Sequence, residues 1–248
     1  MTKTAQIIAV TAIKGGTGKT TTAATLAQAA RKAGKKVLII DLDGQANITH
    51  RFGADADKPG AFFLLEVNTP IFETIQHTAQ GIDIIAGAPD LYALKFDKGG
   101  LFTLEAKIEP VLKLYDLIII DTAPALNDLT FNAMQAANGL LIALTADEGS
   151  ADGLLYSLNY AKEIKRTNKK LKVLGCIITQ FDTRPNICKQ MRELIEQLAT
   201  ANKCPYLGEI RRGAAIQEAG AYGKNLFDYA PKSKPAEDYK RLYNQLIK

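Results

Sequence analysis

Seven short apolar runs recur along the chain, and each is rich in Ile, Val and Leu. Nearly continuous apolar runs are typical of strands that are covered on both faces, because a strand with one wet face would alternate apolar and polar residues. The predicted strands are 6–11, 37–42, 82–86, 117–120, 140–145, 173–179 and 206–210.

The segments between these runs space Leu, Ile and Ala as one face of a helix does. Predicted helices are 20–33, 104–114, 152–167, 187–201 and 236–248. Regular alternation of strand and helix predicts an α/β fold, a doubly wound and mostly parallel sheet with helices on both faces. Irregular stretches at 55–60, 97–100 and 231–235 are interpreted as loops within a single domain spanning 1–248.

The composition argues against disulfide-stabilised, imidazole-metal and membrane-spanning proteins. With 248 residues and 47% hydrophobic content, the chain can bury a core without disulfides. Cys176, Cys188 and Cys204 form no Cys-x-x-Cys pair and are expected to be free thiols, and two histidines do not favour an imidazole metal site. No run approaches the roughly 20 apolar residues of a membrane span, and the N-terminus does not resemble a signal peptide, so we expect a cytoplasmic protein.

A glycine-rich segment joins the first strand to the first helix and reads Lys-Gly-Gly-Thr-Gly-Lys-Thr-Thr. Backbone N–H groups and a helix N-terminus converge there, which favours a bound phosphate. Lys19 is expected to reach the β and γ phosphates, and the Thr20 hydroxyl to ligate Mg²⁺. Ile13 replaces the first glycine of the strict P-loop pattern. The predicted nucleotide-binding residues are Gly15, Gly16, Thr17, Gly18, Lys19, Thr20 and Thr21.

Carboxylates follow two of the predicted strands. Asp41 and Asp43 close the run at 37–40, and Asp121 closes the run at 117–120. Open α/β sheets bind ligands at this carboxyl edge, and residues two apart on an extended strand point the same way. We therefore expect Asp41 and Asp43 to face the phosphates and Asp121 to hold Mg²⁺ through water.

The segment from Lys14 to Thr20 matches K-G-G-x-G-K-[ST], the mark of the deviant Walker A ATPases. The chain thereby resembles the ParA/MinD superfamily of P-loop NTPases, which includes the nitrogenase iron protein. In that family the first lysine crosses a sandwich dimer to the partner's nucleotide. The resemblance implies that Lys14 acts catalytically in trans beside Lys19, with ATP and Mg²⁺ as cofactors.

Residues 41–47 resemble the family motif D-x-D-P-Q-G-N, with Gly44 and Ala46 at the positions of its proline and second glycine. This resemblance implies that Asp43 orients the attacking water and that Asp41 supports the Mg²⁺ shell. Residues 126–136 resemble the family's γ-phosphate switch.

Residues 179–184 are similar to the family's adenine-side loop. That similarity adds Gln180 and Asp182 to the expected nucleotide contacts.

The order of the C-terminal motifs, 208–212, 218–219 and then 223–224, is most similar to ParA proteins. It implies a partition ATPase in the cytoplasm, associated with the nucleoid. Its ATP-bound homodimer would bind DNA nonspecifically, and a ParB-like, centromere-binding partner would stimulate hydrolysis.

Two basic segments, 162–172 and 211–248, fit a phosphate-binding surface, although a solvated helix face has the same composition. Ala215 stands where ParA proteins carry an arginine, so either neighbouring cations or another surface would contact DNA. Candidate DNA contacts are Lys162, Lys165, Arg166, Lys169, Lys170, Arg211, Arg212 and Lys224.

Two other function classes stay open. A MinD-like membrane-cycling regulator would insert its C-terminal helix in lipid, and the apolar stripe of 236–248 fits superficially. Tyrosines in that stripe and the flanking Glu237 and Asp238 favour docking on the domain, so no stable membrane association is expected. The third class is a metabolic enzyme or an iron–sulfur reductase with a similar loop, and the dispersed cysteines argue against the reductase.

Overall fold

The computed structural model describes residues 4–96 and 102–247, and the loop predicted at 97–100 lies outside that part of the chain. Its strands join in one sheet. They are β1 (Gln6–Thr11), β2 (Val37–Leu42), β3 (Ile75–His77), β4 (Asp83–Ile85), β5 (Leu117–Thr122), β6 (Gly139–Leu144), β7 (Lys172–Phe181) and β8 (Tyr206–Arg211).

Helices connect most of these strands. They are α1 (Lys19–Lys32), α2 (Asn47–Arg51), α3 (Ile71–Thr74), α4 (Thr103–Ile108), α5 (Asp128–Ala136), α6 (Ser150–Thr167), α7 (Asn186–Ala201), α8 (Ala214–Ala221), α9 (Leu226–Tyr229) and α10 (Lys234–Leu246). A π-helical turn covers Phe63–Val67, and 3₁₀ turns cover Pro89–Ala93 and Glu109–Val111.

The strand order is β3-β4-β2-β5-β1-β6-β7-β8. Every neighbouring pair is parallel except β3 with β4. After β1 the chain first builds the β2 side of the sheet and later returns to place β6 on the opposite side. The carboxyl end of β1 is therefore a topological switch point, where open α/β sheets bind ligands. The predicted doubly wound, mostly parallel fold is confirmed.

Apolar layers lie on both faces of the sheet. Along β2, Leu38 and Ile40 pack with α4, α5 and α6, whereas Ile39 packs on the other face with α1 and α10. Because each strand supplies alternate residues to two dry layers, its sequence reads as a continuous apolar run.

Several local features differ from the prediction, and the helices α2, α3, α5, α8 and α9 were not predicted. The antiparallel edge strand β3 was not predicted, because its three residues are too few to establish an alternating pattern. The predicted helix at 104–114 is shorter, since α4 ends at Ile108 and a 3₁₀ turn follows. Pro110 lacks the backbone N–H that a continuing helix needs there.

The C-terminal helix α10 packs on the protein itself. Tyr239, Leu242 and Leu246 are buried in the layer that contains α1, and the Tyr239 and Thr22 hydroxyl oxygens lie 3.1 Å apart. The apolar stripe predicted in this helix therefore packs against the layer that contains α1, in agreement with the expected docking on the domain. Among residues 4–96 and 102–247, no helix is long and apolar enough to cross a membrane.

A nearly buried carboxylate fastens α10 to the end of β8. Asp238 is 1% exposed, and it accepts hydrogen bonds from Arg211 Nε and Nη2, each at 2.8 Å, and from the Arg211 backbone N at 2.9 Å. Arg211 was among the predicted DNA contacts. Its guanidinium is one-third exposed, but it is engaged by Asp238 and holds β8 and α10 together.

Replacement of Arg211 by alanine should lower the free energy of unfolding by about 2 kcal/mol, because it leaves the Asp238 carboxylate buried without its bidentate partner. Urea unfolding followed by circular dichroism measures the change. The exposed neighbour Arg212 is the matched control, and Arg212→Ala should stay within about 0.5 kcal/mol of the parent. Equal stability of the two variants would contradict the assigned role of Arg211.

Candidate functional site

The loop between β1 and α1 surrounds an open space at the carboxyl end of β1, the topological switch point of the sheet. Gly16 and Gly18 have φ values of 75° and 73°, in the left-handed region that favours glycine. A Cβ atom on Gly18 would also lie 3.1 Å from the Thr179 hydroxyl oxygen. Since α1 begins at Lys19, its free N–H groups open into this loop, as a phosphate-binding loop requires.

The end of β7 holds the loop from behind. The Thr179 hydroxyl donates to the Thr17 carbonyl at 2.6 Å, and Gln180 Nε2 donates to the Gly16 carbonyl at 2.6 Å. Gln180 was expected to contact a base. It lines the same groove as the loop, but its amide N–H is engaged by the loop backbone. Both bonds preorganise the loop.

Lys19 is 5% exposed and lies among acidic groups. Burial lowers the pKa of its ammonium group, while the charges of Asp121 and Asp43 oppose that shift. A cation removed from water in this way is stabilised by any further anion that enters the site.

Asp121 is fully buried at the end of β5, and neither of its carboxylate oxygens has a hydrogen bond of ordinary geometry within the described residues. Burial raises its pKa well above the usual range, and the charge of Asp41 raises it further. The Thr20 hydroxyl and the charge of Lys19 act in the opposite direction. An orphaned buried carboxylate beside a hydroxyl fits a hard divalent cation, which prefers oxygen ligands.

Asp41, in contrast, already has partners. Its Oδ2 accepts from the Thr49 hydroxyl at 2.6 Å, and its Oδ1 accepts from the Asp43 backbone N at 3.0 Å. Burial is the main cause that raises its pKa to about 6, against the hydrogen bonds from Thr49 and Asp43. Thr49 in turn accepts from the Gly87 backbone N at 2.9 Å. Asp41 thus fastens the end of β2 to neighbouring segments and does not line the groove.

Asp43 does line the groove, with 5% of its surface exposed. Asp41 and Asp43 were expected to face the same ligand, and the structure places only Asp43 on the open groove. Asp43 Oδ1 accepts from the Gln45 backbone N at 3.0 Å and from the Tyr92 hydroxyl at 3.3 Å. Its carboxylate is positioned beside Lys19, at the edge of the open space.

The groove extends from the loop toward α8 and has a volume of about 700 Å³. Sequence reasoning missed its far wall, although the spacing of Ile216, Gln217 and Gly220 places them on one face of α8. The other lining residues that were not predicted include Asn47, His50, Arg51, Gly213, Ala221 and Tyr239.

Asp182, the second residue expected near a base, lies in a neighbouring shallow groove with Arg184 and Arg212. Its carboxylate accepts from Arg184 Nη2 at 2.6 Å, and hydrogen bonds from Arg184 lower its pKa to about 2. The structure thus separates Gln180 and Asp182 into two grooves.

Lys14 turns away from the groove toward the end of β6. Its Nζ lies 2.9 Å from Asp147 Oδ2, and both side chains are about half exposed. Partial burial opposes ionisation of Asp147, but hydrogen bonds from Lys14, Thr145 and Ser150 outweigh it and lower the pKa. No sequence signal marked Asp147 as the partner of Lys14.

The candidate DNA contacts do not lie together on the protomer. Those from Lys162 to Lys170 follow α6 to the amino edge of the sheet, where Arg166 pairs with Glu163 and Lys170 approaches Glu105. Arg212 lies at the carboxyl edge beside the nucleotide groove. Lys224 lies in a separate groove with Gln80 and Asn225, and its ammonium group is 5.8 Å from the centre of the Tyr229 ring. These residues therefore do not form one patch within a protomer.

Metal and redox sites of other types find no support. The three cysteines are free, and Cys176 and Cys204 are buried. Within the part of the chain that the structure describes, no group of three or more His, Cys, Asp or Glu residues could hold a metal ion. A cation here would depend on Asp121, Thr20 and a bound phosphate.

Known proteins resemble this chain over most of its length. Residues 5–173 match the model of a family described as an AAA domain. The chromosome-partitioning ATPase Soj of Thermus thermophilus is 32% identical, covering 97% of this chain and 94% of Soj.

Two solved structures superpose over nearly the whole chain. The cobyrinic acid a,c-diamide synthase of Mycobacterium smegmatis, with an ATP analogue and magnesium bound, has a TM-score of 0.82 at 26% identity and covers 97% of this chain and 93% of its own. Cyanothece McdA in complex with ATP has a TM-score of 0.87 at 22% identity, covers 99% and 98% of the two chains, and bears on the fold alone. The chain therefore belongs to the ParA-type P-loop NTPases of the ParA/MinD superfamily.

Proposed function

We propose that this protein is an Mg²⁺-dependent partition ATPase that binds DNA nonspecifically as an ATP-bound homodimer. The observation that carries the proposal is the buried Lys19 of the phosphate loop, which interacts with the fully buried carboxylate of Asp121 beneath the groove. Soj of Thermus thermophilus, named a chromosome-partitioning ATPase, supports this reading through its likeness over nearly the full length.

The loop from Gly15 to Thr21 would hold the triphosphate, with Lys19 on the β and γ phosphates. Thr20 and Asp121 would hold Mg²⁺, which supplies positive charge to the transferring phosphoryl group. Asp43, at the groove edge, would orient the attacking water. The base would lie toward α8, because the groove continues there between Gln217 and Tyr239. The ATP analogue and magnesium in the Mycobacterium smegmatis relative support both ligands.

Lys14 is proposed to act on the nucleotide of a second protomer. Its ion pair with Asp147 joins two half-exposed side chains, and such surface pairs contribute little to stability. A triphosphate offered by a partner carries more negative charge than one carboxylate, so Lys14 can exchange Asp147 for it at small cost. ATP would thereby bring two copies together, and hydrolysis would release them.

The partition role requires DNA and a stimulating protein. We propose that cations contact DNA phosphates without reading bases, and that a ParB-like partner stimulates hydrolysis. Arg212 adjoins the nucleotide groove, so its surface is the one that nucleotide-driven pairing of protomers can rearrange. Burial of the α10 stripe gives the membrane-cycling alternative no free insertion surface in this protomer.

Two single substitutions separate binding from turnover. Lys19→Gln should weaken ATP binding about 100-fold or more, since it removes the charge that faces the phosphates. Asp43→Ala should keep ATP affinity within about threefold yet slow hydrolysis about 100-fold, because only the water loses its partner. Fluorescent-nucleotide titration and phosphate release measure the two effects. If Asp43→Ala hydrolysed ATP at the parental rate, the role assigned to Asp43 would be wrong.

Asp121→Asn should stabilise the ligand-free protein by on the order of 1 kcal/mol, a rise of roughly 2–4 °C in Tm, because burial and the charge of Asp41 disfavour the ionised carboxylate that the neutral amide replaces. The same variant should lose the additional Tm increase that Mg²⁺ gives when added with an ATP analogue. Calorimetry with and without Mg²⁺ measures both, and the exposed Asp228→Asn is the control, with no change expected. A full Mg²⁺-dependent increase in Asp121→Asn would contradict the cation site.

Matched charge removal should locate the DNA surface. With an ATP analogue, removal of two charges by Arg212→Gln and Lys224→Gln should reduce the slope of log affinity against log salt by about 2. The comparison variant removes two charges from α6, by Lys165→Gln and Lys169→Gln, and should retain nucleotide-dependent binding. Co-sedimentation with DNA across a salt series measures both. Loss of binding in the α6 variant alone would place the DNA surface on α6.

A further inference from the structure

Tyr92 stands in an unusual position for a residue that is 57% exposed. Its ring lies over the backbone of Gly44, and its hydroxyl lies 3.3 Å from Asp43 Oδ1. Gln45 Nε2 donates to the same hydroxyl at 2.9 Å. A phenol has one proton and two lone pairs, so it can accept from Gln45 while it donates to Asp43.

The segment that carries Tyr92 is fixed on the end of β2. Gly87 donates its backbone N–H to Thr49, and a Cβ at Gly87 would come within 2.8 Å of the Asp43 carbonyl oxygen. Leu91, next to Tyr92, is 1% exposed and anchors the 3₁₀ turn in the core. The phenol is therefore presented to Asp43 by a segment with little freedom to move.

Glycine at position 44 is the condition for this contact. A Cβ on Gly44 would lie 2.5, 2.7 and 2.8 Å from three atoms of the Tyr92 ring. Any larger residue there, including the proline of the family motif, would push the ring away from Asp43. Gly44 and Tyr92 are thus a matched pair within this chain.

We propose that Tyr92 is a positioning residue for Asp43. Asp43 Oδ1 receives two donors, the Gln45 backbone N–H and the Tyr92 hydroxyl. Within the described residues no hydrogen bond reaches Oδ2, so that oxygen is available to a water molecule in the proposed mechanism. The inference rests on the proposed role of Asp43 in ATP hydrolysis, and it names a residue outside the motifs that supports this role.

Tyr92→Phe keeps the ring and removes the hydroxyl. It should lower kcat for ATP hydrolysis about three- to tenfold, the effect of one ordinary hydrogen bond, because this contact is long and only partly buried, and it should leave KM for Mg–ATP within about twofold. A purely structural role would instead lower Tm or change KM. Tyr156→Phe, an equally exposed tyrosine on α6, is the matched control and should keep the parental kcat.

Gly44→Ala should lower kcat to a similar extent, since its methyl group displaces the ring. If both substitutions break the same contact, the double variant should be no slower than the slower single variant. Parental kcat in Tyr92→Phe, or multiplied losses in the double variant, would overturn the inference. Asp43→Ala in the same assay distinguishes failure of the inference about Tyr92 from failure of the proposed role of Asp43. If Asp43→Ala is inactive and Tyr92→Phe is fully active, only the inference about Tyr92 is wrong. If Asp43→Ala is active, the proposed role of Asp43 and the inference about Tyr92 are both wrong.

Discussion

The arrangement of this protein depends on charges held out of water at one point of the sheet. Lys19 and Asp121 are both buried at the carboxyl edge. Burial lowers the pKa of Lys19 and raises the pKa of Asp121, so it favours the neutral form of each side chain. Their mutual attraction offsets part of the desolvation cost, but among the described residues neither oxygen of Asp121 has a hydrogen bond of ordinary geometry. A bound cation would therefore stabilise Asp121, and a bound phosphate would stabilise Lys19. A Mg–triphosphate would supply both.

The surrounding structure keeps these charges in place without neutralising them. Thr179 and Gln180 hold the phosphate loop by its carbonyl groups, which leaves the loop N–H groups free for a ligand. Asp41 accepts hydrogen bonds from Thr49 and from the Asp43 backbone, so it supports the site from behind. In the proposed mechanism, rigid support of this kind would let Asp43 orient a water molecule with little reorganisation.

Much of this was predictable from local pattern. The seven strands, the loop from Lys14 to Thr21 and the strand-end carboxylates each have a short-range signal, and the structure brings them together at one edge. The contacts of Lys14 with Asp147 and of Tyr92 with Asp43 join segments that are far apart in sequence. No periodicity marks such pairs, because only the packed sheet decides which loops meet. The wall formed by α8 was missed for the same reason.

A crystal structure with a non-hydrolysable ATP analogue and Mg²⁺ tests the central claim most directly. The account predicts that a cation occupies the space beside Asp121, that Lys19 contacts the β and γ phosphates, and that Lys14 has left Asp147 for the triphosphate of a second protomer. A nucleotide-bound structure in which Asp121 remains without a partner and Lys14 still pairs with Asp147 would contradict it.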